Sequence, residues 1–114
     1  RLQMLCAILS KRAGLKLGEM DVYVNVIGGL VIKEPAADLA VCAAIIGAAN
    51  GKIEIEPTLY FGEIGLGGEI RSISRAKQRL EEAKRLGIEK AVVPKKTKAI
   101  PDIEIANVSK LSDL

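Results

Sequence analysis

Ala36 to Asn50 contains one charged residue, Asp38, in fifteen positions. Pro35 suits the first turn of a helix, Glu34 and Asp38 put negative charge at its positive end, and Gly51 closes it. A helix apolar on most sides is a buried helix, so the rest of the chain has to cover it.

The cover is legible on both sides. Leu2, Leu5, Ile8 and Leu9 recur at helical spacing through Arg1 to Arg12, with Gly14 as the stop. Val22, Val24 and Val26 alternate as a half-buried strand, and Gly28-Gly29 turns the chain towards a short strand at Leu30 to Ile32. Further strands are expected near Lys52 to Glu56 and from Thr58 to Ile64. The latter leads through Gly65-Leu66-Gly67-Gly68 into a hairpin arm at Glu69 to Ile73. Ser74 reads as the N-cap of a helix that points Ala76, Leu80 and Ala83 inward, pairs Glu81 with Arg85 and ends at Gly87. Ala91 to Val93 and Ile103 to Val108 read as strands, and Ser109 begins a last helical turn. The alternation predicts one α/β or α+β domain over 1–114, a twisted mixed sheet with packed helices.

Composition removes several kinds of chemistry. There is no histidine, which excludes Ser-His-Asp and Cys-His mechanisms, and two cysteines fall short of an ordinary zinc site. Cys6 and Cys42 stand among apolar neighbours and read as core thiols, in keeping with a reducing, cytoplasmic compartment. Tyr23, Tyr60 and Phe61 are the whole aromatic supply, too little for a base-stacking platform. No apolar run reaches the ~18 residues of a membrane span, so no membrane partner is expected.

The net charge of +3 is unevenly distributed: residues 71–98 hold ten basic against three acidic groups, while the segments on either side are slightly acidic. Such a concentration attracts phosphates, or else forms a solvated helix face. Arg71, Arg75 and Arg79 recur every four residues and would project along one ridge if the hairpin led directly into the helix, with Lys77 off it.

The glycines from Gly62 to Gly68 do not make a nucleotide loop. A phosphate loop needs Lys and then Ser or Thr after its last glycine, where Glu69 and Ile70 stand, and a dinucleotide fingerprint needs glycine at Ile70. A hydrolase without histidine can still pair Ser or Thr with a lysine base, yet Ser10, Ser72, Ser74, Ser109 and Ser112 lack a glycine-rich elbow. Lys77 adjoins Ala76 and Leu80 at the edge of the apolar stripe, which leaves two readings: an ammonium partly buried there, or a stem packed on the stripe with its charge extended into water.

The runs VNVIGGLVIKEPAADLAV, FGEIGLGGEIRSISRAKQRLEEAKRLGI and AVVP resemble the C-terminal domain of the bacterial RadA (Sms) family through nearly the whole chain. That domain is in turn similar to the proteolytic domain of Lon, a sandwich like ribosomal-protein domain 2. Its Ser-Lys dyad matches Ala36 and Lys77 here, so the resemblance implies a protease fold without its nucleophile. No cofactor is then expected in this domain. The resemblance implies ATP, Mg and Zn elsewhere in a full-length protein whose zinc finger and RecA-like ATPase are missing from this chain. It also implies that Arg1 already lies inside the domain, after its first strand or strands.

The function so implied is a non-catalytic module for hexameric ring assembly and DNA binding in branch migration. Its partners would be single-stranded and branched DNA, further copies of itself and the recombinase RecA. Arg71, Arg75, Lys77 and Arg79 are the DNA-contact candidates. A Lon-like peptidase with another nucleophile and a pure oligomerisation scaffold are the alternatives.

Overall fold

Helix α1, Leu2–Arg12, buries Leu5, Ile8 and Leu9 and ends where the Ala13 N–H donates to the Leu9 carbonyl at 3.0 Å. The computed structural model describes residues 1–26, 33–52 and 54–114. The expected Gly28-Gly29 turn and the strand at Leu30 to Ile32 lie outside them. Helix α2, Asp38–Ala49, follows a 3-10 turn over Pro35–Ala37 and buries the stripe Asp38, Leu39, Cys42 and Ile45. Burial is not all-round as the sequence suggested, because Ala44, Ala48 and Ala49 are exposed. A methyl group in water forgoes little at about 25 cal/mol per Å².

Three parallel strands form the main sheet in the order β1 (Thr58–Tyr60), β4 (Lys90–Pro94), β5 (Glu104–Val108). The hairpin β2 (Glu63–Ile64) and β3 (Ile70–Arg71) sets Ile64 opposite Ile70. Helix α3, Ala76–Arg85, lies in the crossover from the hairpin to β4.

The strand expected over Thr58 to Ile64 is therefore two strands in two sheets, broken at Phe61-Gly62. The Gly62 N–H donates to the Ala36 carbonyl at 2.9 Å and its carbonyl accepts from Leu39 N–H at 3.0 Å. The chain leaves the sheet there to brace the start of α2. A Cβ on Gly62 would stand 3.0 Å from Ile70 Cγ2. Among the described residues, Val22 to Val26 and those of Lys52 to Glu56 pair with no strand, and Tyr23 and Val24 are exposed. Alternation gives a strand its two faces but no partner for its backbone groups, and pairing decides the outcome.

Two apolar clusters result. In one, α1, α2, the hairpin and the closing 3-10 turn Leu111–Asp113 share Leu9, Leu39, Ile64, Ile70 and Leu111. In the other, Leu80 and Ala83 of α3 pack on Phe61, Ala91, Val93 and Ile103. Among the described residues Asp38 is the one buried polar or charged side chain, at 2% exposure. Its Oδ1 accepts Arg1 Nε at 2.8 Å, and its Oδ2 accepts a second Arg1 nitrogen and, at 3.1 Å, the Ile64 N–H. One carboxylate thus ties the starts of α1 and α2 to the hairpin.

Candidate nucleic-acid interface at the start of α3

After β3 the chain turns through Ser72 to Ser74 and enters α3 at Arg75, whose φ of 60° and ψ of 33° are left-handed. That conformation costs an L-residue roughly 1 to 2 kcal/mol. Arg75, not Ser74, is the N-cap position, and no side chain caps the helix. The Ser74 carbonyl instead accepts Arg79 Nε at 3.0 Å, and the Arg79 guanidinium also pairs with Glu34. The hydrogen bond from Arg79 holds the Glu34 carboxyl below the usual carboxylate range.

Helical spacing therefore starts at Ala76, and Arg71, on β3, is not on the arginine ridge. It sits 3.0 Å from Glu69 and 3.8 Å from Glu63, across the hairpin. Of the ten basic residues between 71 and 98, three more are in ion pairs: Lys84 with Asp102, Arg85 with Glu82, and Lys90 with Glu56. Arg85 thus takes Glu82 in place of the expected Glu81. Among the described residues Arg75, Lys77, Lys95, Lys96 and Lys98 make no ion pair, and all five lie at the start of α3 or in the loop after β4.

Helix α3 separates these cations. Arg75 and Arg79 line a hollow of about 500 Å³ with Glu34, Leu59 and Leu86. Lys77 is exposed and lines a second one with Lys96 and Lys98. Ala36 is buried at 5% exposure in the 3-10 turn and lines neither. The two positions matched to a Ser-Lys dyad are therefore not brought together in either hollow.

The glycine turn is the tight hairpin read from the sequence. Gly68, at φ +80°, donates its N–H to the Gly65 carbonyl at 2.9 Å. The Glu69 carboxylate folds over the turn, accepts the Gly67 N–H at 2.9 Å and stands where a Cβ on Gly65 would be. The Gly67 amide thus already serves a carboxylate and the Gly68 amide a backbone carbonyl, so a nucleotide phosphate would meet negative charge and no free donor there. Among the described residues no three metal-ligating side chains gather.

Asn107 of β5 went unnoticed in the sequence. Its side-chain amide donates to the carbonyls of Pro94 and Lys95 at 3.2 Å and of Thr97 at 3.1 Å, fastening the lysine loop to the sheet. The available signal was an asparagine inside a strand, a type that strands disfavour.

A family model described as subunit ChlI of Mg-chelatase matches residues 3–97. Three similar curated proteins are named DNA repair protein RadA. The one from Rickettsia felis is 46% identical over all of this chain and 25% of its own length. That from Aquifex aeolicus is 43% identical over 99% of the chain and 26% of its length. That from Brucella abortus is 48% identical over 82% and 20%. The chain spans about a quarter of the length of the curated relatives it matches.

Proposed function

The chain belongs to the family described as subunit ChlI of Mg-chelatase, and from this and from relatives named for DNA repair we propose a non-catalytic, Lon-like module of a RadA-type repair protein. Its role in that reading is ring assembly and contact with DNA phosphates. The carrying observation is Arg75, exposed at the start of α3, without an ion pair among the described residues and beside Arg79 in one hollow. Arg75 leads the four candidates named from the sequence, since Arg71 and Arg79 already neutralise Glu69 and Glu34 and Lys77 lies on the other flank of α3. The left-handed backbone at Arg75 supports the same reading, because strain of this kind gathers at working positions.

A salt titration of a labelled single-stranded oligonucleotide on the 114-residue chain tests it. Affinity should fall steeply with salt, and Arg75→Gly should weaken binding and flatten the logarithmic slope by about 0.7, the share of one phosphate contact on a single strand. Glycine accepts the left-handed angles freely, so the same variant should be more stable by about 0.5 to 1 kcal/mol. If the variant binds DNA as the parent does, the contact lies elsewhere.

The peptidase alternative is not favoured, because Ala36 has no hydroxyl to acylate and is buried. Casein and an activated ester should be left intact by the chain. Turnover that disappears in Lys77→Ala would reverse this.

A further inference from the structure

The groove on the Lys77 flank of α3 has chemistry that a phosphate backbone does not use. It is an open groove of about 480 Å³ between the start of α3 and the loop after β4. Lys77, Lys96 and Lys98 are exposed around it, while Ile73, Ala76 and Ile100 are half-buried and form its floor. No acidic residue lines it, and none of its lysines makes an ion pair among the described residues. One wall is preset, because Asn107 pins the carbonyls of Pro94, Lys95 and Thr97 and the Thr97 N–H donates to the Pro94 carbonyl at 3.0 Å. A loop already held spends less of its binding energy on ordering.

We propose that this groove docks a short acidic peptide segment of a partner protein, with an aliphatic side chain on the floor and carboxylates on the lysines. Charge complementarity requires an anionic occupant. The floor decides which kind. Single-stranded nucleic acid covers apolar surface by stacking bases on aromatic rings, and no aromatic residue lines this groove. An aliphatic side chain flanked by carboxylates covers the floor and meets the lysines at once. The site is separate from the Arg75 hollow, so the proposal stands or falls independently of the DNA reading.

The test is fluorescence anisotropy with a fluorescein-labelled hexapeptide, Asp-Glu-Asp-Asp-Ile-Leu, on the 114-residue chain. Saturable binding is expected. Replacing the peptide's Ile-Leu by Ser-Ser should weaken it at least fivefold, and the double variant Lys96→Glu, Lys98→Glu at least tenfold. Both lysines are exposed, so circular dichroism should show that variant folded. Asn107→Ala, with fold checked in the same way, should lose a few-fold by freeing the loop, and Arg75→Gly should change nothing. Three results would each overturn the proposal: no binding, equal binding of the Ser-Ser peptide, or binding untouched by the double reversal. Displacement of the peptide by hexathymidylate at equal concentration would also overturn it, assigning the groove to nucleic acid.

Discussion

Asp38→Ala is expected to unfold at a much lower urea concentration than the parent chain, with a loss of about 3 kcal/mol. The carboxylate is 2% exposed and accepts from Arg1 and from the buried Ile64 N–H. Its removal leaves that amide without an acceptor and cuts the tie between α1, α2 and the hairpin. Arg1 is 42% exposed, so water takes back part of its charge and the cost stays below that of a fully buried pair. Asp38→Asn, whose amide oxygen can still accept one hydrogen bond, should lose less than Asp38→Ala. A loss under about 1 kcal/mol for the alanine variant would show that the carboxylate is not what joins these elements.

Alkaline stability should fall steeply because of Cys42. The thiol is wholly enclosed between α1 and α2, and burial, with smaller contributions from the Asp38 and Cys6 charges, pushes its pKa from 9.0 up to about 12. The folded chain holds this proton where the unfolded chain releases it. The stabilisation is thus complete below pH 9 and is lost progressively as the pH rises towards 12. By pH 11 the loss should reach roughly 2.5 kcal/mol. Lysines and tyrosines titrate in the same range, so the comparison needed is with Cys42→Ala. That variant gives up about 1 kcal/mol at neutral pH to a small cavity but should fall less steeply above pH 9, so the two stability curves should cross at about pH 10, above which the variant is the more stable. Parallel curves would mean that the thiol ionises freely in the folded chain.

Local regularity explains what could be read without coordinates. The three helices fall within a residue or two of the positions their apolar spacing indicated, because a helix closes its own hydrogen bonds and needs only one face covered. The hairpin at Gly65 to Gly68 was legible for a similar reason, since its angles demand glycine. The two strands joined by the lysine loop were legible as short apolar runs between turn signals.

What failed was whatever depended on a partner distant in sequence. Thr58 to Ile64 splits between two sheets because Gly62 bonds to Ala36 and Leu39 instead of continuing its ladder. The net charge of the 71–98 segment followed from the sequence, but which cations remain available did not. Glu34, Glu56 and Asp102 come from other elements to neutralise Arg79, Lys90 and Lys84, while Lys77, Lys96 and Lys98 are left around one groove. The sequence by itself determined the helices, the hairpin and the amount of charge, each a matter of neighbours a few residues apart. Only the tertiary structure decided strand pairing and which charges face one another, because Coulomb energies and backbone hydrogen bonds depend on distances of a few ångströms between residues that the sequence keeps far apart.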